Sequence, residues 1–165
     1  MFYLDLLGAL ERHRVRYLLV GGLAMNLHGV PRMTMDVDIM LALDGENLGR
    51  FVQLAREMGL APTLPLALED MEDAGKRAAW VEERHMVAFS LRGAEKSAPT
   101  VDVLIGVDLP FDEAYGRRLV REVAGIPVSL AGVDDMIILK SKAGRAQDWA
   151  DIEHLKRLSH GQADD

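Results

Sequence analysis

Three carboxylates stand out by residue type and spacing. Asp36 and Asp38 flank a valine in Asp36-Val37-Asp38-Ile39. On a strand, residues i and i+2 face the same way, so the two carboxylates project side by side while Val37 and Ile39 face the core. Carboxylates held that close repel each other, and a cation between them relieves the repulsion. Hard oxygen donors suit Mg2+. The same pattern also fits a solvated strand face. A third carboxylate, Asp102, sits between valines in Thr100-Val101-Asp102-Val103-Leu104. A charge inside an apolar strand is costly unless it is paired, bound to metal or turned outward on an exposed face. If the two strands are neighbours, the three carboxylates converge. That is a ligand set for two divalent ions about 3.5–4 Å apart acting on phosphoryl transfer. An EF-hand calcium loop is excluded, because Met40 stands where a third oxygen ligand is needed and Leu41 where the loop requires glycine.

Ahead of these residues an apolar strand runs into Gly21-Gly22, which opens a helix. Glycine permits positive φ and close approach of the backbone to a ligand. The free N–H groups at a helix start attract phosphate. A plain strand-to-helix turn produces the same string. Other polar candidates are weaker. His28, just before Gly29, is either a site residue or a helix-end histidine facing the dipole, and His85 is expected to be structural. Asp151 and His154 are spaced i, i+3 but belong to no HExxH zinc pattern. Asp148 and Asp151 share a helix face, with Arg145 the local partner of Asp148. The chain has no GxSxG, Walker A or GxGxxG string, which removes α/β-hydrolase, P-loop and Rossmann chemistries.

The elements that must position these residues follow from periodicity and turn signals. Helices are expected at Phe2 to His13, Leu23 to His28, Glu46 to Met58 with Asp44 as cap and Gly59 as stop, Leu66 to Lys76, Val133 to Ala143 and Gln147 to Leu158. Strands are expected at Tyr17 to Val20, Asp36 to Leu43, Val81 to Leu91, Thr100 to Ile105, Arg118 to Val123 and Ile126 to Leu130, with a helical turn over Phe111 to Tyr115. The pattern predicts an α+β (α/β layered) domain over residues 1–158, a small mixed β-sheet flanked by helices, and a flexible tail over 159–165.

Composition bounds the rest. The 165 residues carry 19 basic and 26 acidic side chains, a net charge of −7, with 49% apolar residues and no cysteine. Disulfide scaffolds and cysteine-based metal sites or nucleophiles are therefore excluded. The longest apolar run, Tyr17 to Met25, falls short of the roughly 18–20 residues a bilayer span needs. The start lacks a signal-peptide pattern, and a cytoplasmic location with no membrane partner is expected. The acidic balance argues against avid non-specific binding to nucleic acid. Three short basic clusters, around Arg12–Arg16, Arg117–Arg121 and Lys140–Arg145, are expected to be scattered solvated charge unless they converge on one groove.

Taken in order, Gly21-Gly22, His28-Gly29, Arg32-x-Thr34, Asp36-x-Asp38 and the later Asp102 resemble the signature of the DNA polymerase β-type nucleotidyltransferase superfamily. Within it they resemble the AbiEii-like and minimal bacterial nucleotidyltransferases, and they are also similar to aminoglycoside and lincosamide nucleotidyltransferases. The stretch Leu139 to Leu155 adds a lysine, an arginine and an Asp-x-x-Asp-Ile, here Lys140, Arg145, Asp148, Asp151 and Ile152. Gly22 stands where many members have serine, and Gln147 where a basic residue is expected. The chain is shorter than AbiEii toxins, so a dedicated acceptor-binding domain is expected to be absent.

The resemblance implies a nucleotidyltransferase fold with C-terminal helices. It implies transfer of a nucleoside monophosphate from an NTP donor to a hydroxyl, with release of pyrophosphate. Asp36 and Asp38 would bind two Mg2+ ions (Mn2+ as alternative). Asp102 would bind the catalytic ion and help activate the acceptor hydroxyl. Gly21, Gly22, Arg32 and Lys140 would contact the nucleotide, and Thr34, which shares its strand-face parity with Asp36, would line the site. The acceptor is RNA, a protein or a small molecule, within a toxin–antitoxin-type system with a cognate partner protein or as an antibiotic-modifying enzyme. A catalytically silent nucleotide-binding or interaction protein of a toxin–antitoxin-like pair is the other expectation. A deep acceptor pocket lined with carboxylates would mark modification of cationic antibiotics.

Overall fold

Local sequence dictates most of the elements in the computed structural model, which describes residues 1–31, 35–95 and 97–163. Helix α1 (Phe2–Arg12) buries Leu6, Leu7 and Leu10, the stripe its periodicity predicts. Strand β1 (Tyr17–Val20) is buried throughout. Helix α2 (Gly21–Leu27) follows with no intervening loop, so it starts at the glycine pair rather than at Leu23. Strand β2 (Val37–Leu41) is shorter than expected and leaves Asp36 just outside it. Helix α3 (Gly45–Glu57) is capped as predicted, the Asp44 side chain accepting the Asn47 N–H.

The middle of the chain departs from expectation. Residues 61–84 form a two-residue strand β3 (Ala61–Pro62), a 3-10 turn over Leu68–Glu72 and helix α4 (Ala74–Arg84). The predicted strand from Val81 is therefore helix up to Arg84, and strand β4 runs only over Ala88–Arg92. Two local features override the apolar Trp80-Val81 pair. Asp73 caps α4 by accepting the Lys76 N–H, and His85 ends it in the left-handed conformation at φ 54°. Trp80 then stacks on Phe89 of β4 with ring centroids 5.2 Å apart.

Strand β5 (Thr100–Leu104), helix α5 (Phe111–Gly116), strands β6 (Leu119–Val123) and β7 (Ile126–Leu130) and helix α6 (Val133–Ala143) lie where the pattern put them, and helix α7 spans Ala146–Ala163. The seven strands form one mixed sheet in the order β3-β4-β5-β2-β1-β7-β6. Two pairs are parallel, β2 with β5 and β1 with β7, and the rest are antiparallel. This is the expected α+β arrangement. Among the described residues no helix is long and apolar enough to cross a membrane.

One buried side chain ties the frame of the site together. Asn47 is fully buried at the start of α3. Its Oδ1 accepts the Arg16 N–H at 2.7 Å, and its Nδ2 donates to the Arg16 and Ala42 carbonyls at 3.0 and 2.9 Å. The chain entering β1 is thus fastened to the chain leaving β2. Asn47→Ala removes these three bonds, leaving the Arg16 carbonyl with only the Ala42 N–H at 3.3 Å, and is expected to destabilise the fold by about 2 kcal/mol. Urea denaturation with an unchanged m-value checks this, and a loss below about 0.5 kcal/mol would show the bonds to be dispensable.

Candidate active site

Strand register builds the site. Val37, Ile39, Val101 and Val103 are wholly buried on one face of β2 and β5, which sends Asp38 and Asp102 to the other. The parallel pairing sets Asp38 directly opposite Asp102, with Val20 of β1 opposite Asp38 on its other side. On β4, Ser90 stands opposite Asp102, and its Oγ–H donates to Asp102 Oδ1 at 2.6 Å. A row of aligned positions thus runs Ser90, Asp102, Asp38 across three strands and ends at Val20-Gly21.

The glycine at that end has a steric reason. Gly21 has φ +71°, and a Cβ built on it would lie 2.0 Å from Asp38 Oδ2 and 2.9 Å from Asp38 Cβ. Any side chain here would displace the Asp38 carboxylate, and the backbone conformation itself disfavours one. Gly22 follows as the second residue of α2.

Electrostatics single out Asp38. Burial is the main cause that pushes its carboxyl up to about 7, followed by the charge and hydrogen bonding of Asp102 and the charge of Asp36, with Lys140 opposing. Two facing carboxyls that hold a proton near neutral pH are a pair that a divalent cation can bind in the proton's place. The donors are hard oxygens, as Mg2+ and Mn2+ prefer. The residues present therefore fit such an ion. Asp36 lies on the surface just before β2, and its Oδ1 accepts the Thr100 N–H at 3.2 Å. Among the described residues no three His, Asp or Glu side chains are grouped for metal binding. Asp36 departs from the expected convergence because it precedes the strand whose parity would have aligned it. Arg32 and Thr34, expected to contact the nucleotide and line the site, lie outside the described residues.

A cleft of about 200 Å3 opens over this row. One wall is apolar, from Val87, Leu104, Met136 and Leu139, while Gly21, Asp38, Lys140, Arg145 and Asp148 supply the polar part. Helices α6 and α7 place the two cations. Lys140 is 8% exposed, with Nζ 2.8 Å from Asp151 Oδ2 and 3.9 Å from Asp148 Oδ1. Gln147, where a basic residue was expected, donates to Asp151 Oδ1 at 3.0 Å. Asp148 is 1% exposed, and burial opposes its ionisation. Hydrogen bonds from Arg145 nevertheless hold its carboxyl below the usual range. Arg145 itself keeps a largely exposed side chain. The structural pairing of Asp148 with Arg145 is as expected.

The remaining sequence candidates lie elsewhere. His28 caps α2, is buried and donates from Nε2 to the Ala131 carbonyl at 2.9 Å, which makes it a packing residue. Each basic cluster has a member paired with a carboxylate, Arg16 with Asp44, Arg117 with Asp135 and Lys142 with Asp108, while Lys140 and Arg145 of the third line the cleft. Ser90, the apolar wall and the cleft-lining place of Arg145 were not foreseen. Their only sequence signal is a polar residue alternating with buried Phe89 and Leu91, and it acquires meaning only once strand register is known.

The fold has counterparts among solved structures. The lincosamide antibiotic adenylyltransferase LnuA, bound to lincomycin, superposes with a TM-score of 0.60 and 16% identity, over 95% of this chain and 94% of that one. ANT(2")-Ia in complex with adenylyl-2"-tobramycin gives 0.57 and 16%, over 99% and 90%. TM1012 of Thermotoga maritima, a candidate nucleotidyltransferase, gives 0.58 and 13%, over 97% and 91%. No protein-family model and no curated sequence matches the chain. The chain therefore has the nucleotidyltransferase fold.

Proposed function

We propose that the chain is a metal-dependent nucleotidyltransferase that moves a nucleoside monophosphate from an NTP to a hydroxyl and releases pyrophosphate. The observation that carries this reading is the register of Asp38 opposite Asp102 beside a glycine that leaves their carboxylates room. Asp38 and Asp102, with Asp36 at the strand entrance, would hold Mg2+ or Mn2+, which supplies Lewis-acid stabilisation of a transferring phosphoryl group. Gly21 and Gly22 offer backbone N–H groups to the triphosphate. Asp102 accepts hydrogen bonds at the centre of the row and is placed to orient the acceptor hydroxyl. Lys140 and Arg145 bring positive charge to the cleft, where the phosphates carry negative charge, and Arg32 is assigned the same work. The apolar wall suits the base and sugar of the donor.

The acceptor is assigned as a small hydroxyl compound. The described cleft is walled by apolar side chains, the cations Lys140 and Arg145 and the carboxylates Asp38 and Asp148, a volume of about 200 Å3 that suits a small acceptor. LnuA, whose chain is matched almost end to end, has a small-molecule ligand, so a fold of this size needs no added domain for such an acceptor. A toxin–antitoxin role with a cognate protein partner is the competing assignment, and it predicts a modified macromolecule instead.

The test is thermal unfolding with each of the four NTPs, with and without Mg2+, alongside pyrophosphate release. A nucleotide at about 100 times its Kd adds roughly 2.7 kcal/mol of stability. Wild type is expected to show a metal-dependent shift with at least one NTP, and Asp102→Asn to lose both the shift and pyrophosphate release. Stabilisation without pyrophosphate release under any acceptor mixture would identify a silent nucleotide-binding protein. No shift with any nucleotide would remove the enzyme assignment.

A further inference from the structure

The row of aligned positions has one polar member that the proposed function leaves without work. Ser90 stands mid-strand between buried Phe89 and Leu91. Its hydroxyl proton goes to Asp102 Oδ1 at 2.6 Å, in a half-buried setting where the bond competes little with water. On its other side Asp102 faces Asp38, whose charge repels it whenever both are ionised. Nothing in the strand backbone decides which way the Asp102 carboxylate rotates under that repulsion. The Ser90 bond does, because a hydroxyl donating to an ionised oxygen is short and about twice as strong as one between neutral groups.

We infer that Ser90 is a positioning residue for the metal site: its hydrogen bond holds Asp102 in the rotamer that keeps the second oxygen available beside Asp38. The inference rests on the assignment of Asp38 and Asp102 as cation ligands. Ser90 itself touches neither cation nor substrate in this account. It keeps the ligand pair ordered before the cation arrives, so the cation does not have to draw two repelling groups together. Outer partners that orient metal ligands contribute about 10–100-fold to metal affinity.

Three variants of the full chain test this: Ser90→Ala, Ser90→Thr and Ser90→Val. Threonine and valine are near-isosteres that both suit a strand and differ in the hydroxyl alone. MnCl2 is titrated at a fixed concentration of α,β-methylene ATP, and the midpoint of the rise in melting temperature gives the Mn2+ requirement. Ser90→Ala and Ser90→Val are expected to raise that midpoint about tenfold, and Ser90→Thr to stay within about threefold of wild type. If Ser90→Ala does not fold, the threonine–valine pair decides alone. Equal midpoints in threonine and valine, with losses confined to the ligand-free melting temperature, would reduce Ser90 to a structural hydrogen bond and overturn the inference. A wild type with no Mn2+-dependent response would overturn the metal-site assignment itself, and this inference with it.

Discussion

Asp38→Asn is expected to raise the melting temperature of the ligand-free protein at pH 8 while abolishing its Mg2+-dependent response to nucleotide. The two effects have one cause. In the folded chain burial, then Asp102, push the Asp38 carboxyl up to about 7, against about 3.9 in the unfolded chain. The folded state thus holds a proton that the unfolded state has released. Stability from this group is complete below about pH 4, declines as pH rises toward 7 and levels off above it. The uncharged amide removes that decline. At pH 8 the gain is on the order of 2 kcal/mol, or about 4–8 °C for a chain of this size. His28, held low first by burial, works in the opposite direction, since its contribution is lost as pH falls below about 6.5. It is common to both proteins and cancels in their difference. Nucleotidyl transfer should fall at least about 10^3-fold, because an amide is a poor ligand for the hard cation assigned to this site. Parallel pH–stability curves for wild type and variant would show that Asp38 is not the strained group. A variant with wild-type nucleotide response would show that it is not a ligand.

The second large effect is at the α6–α7 corner. Lys140→Met should cost about 3–5 kcal/mol, because it leaves Asp151, 2% exposed, without its cation at 2.8 Å. Asp148 keeps Arg145, and Asp151 keeps the hydrogen bond from Gln147, so the loss falls on the Lys140–Asp151 contact. The double variant Lys140→Met/Asp151→Leu removes the buried carboxylate together with its cation and should recover more than half of the loss. Guanidinium denaturation of the four proteins in the cycle measures this. A double variant as unstable as the sum of the singles would mean that the two side chains do not act as a pair. Nucleotide binding should fall in both Lys140 variants regardless of stability, which separates the lysine's cleft charge from its structural bond.

The legible and illegible parts of the chain differ for physical reasons. Strands β1 and β5 and helices α1, α3 and α6 are readable because the apolar pattern of each segment fits a single element, reinforced in α3 by the Asp44 cap. Residues 61–84 are not. There a cap at Asp73 and a left-handed stop at His85 outweigh an apolar pair that reads equally well as strand. At the site, the residue types at Gly21, Asp38 and Asp102 were visible in the sequence. That Asp38 faces Asp102 could only be conditional, since pairing between strands so far apart leaves no mark in local sequence. The position of Asp36 followed from a parity argument that assumed one more residue of strand than the chain forms. Ser90 was invisible for the same reason in reverse, because an isolated serine in a strand has no meaning until its neighbour is known.

The mixed sheet has a bearing on how the chain assembles. The β4–β5 and β6–β7 pairs join segments close in sequence and can form early. The two parallel pairs cannot. Asp36 and Thr100, bonded across β2 and β5, are 64 positions apart, and Tyr17 and Ser129, bonded across β1 and β7, are 112 apart. Closing such loops costs chain entropy before any contact repays it. The carboxylates meet only when β2 and β5 pair, so their repulsion acts on that long-range closure and leaves the local β4–β5 and β6–β7 pairs untouched. A chain built this way concentrates its electrostatic cost on one non-local strand pair, the one that forms the site.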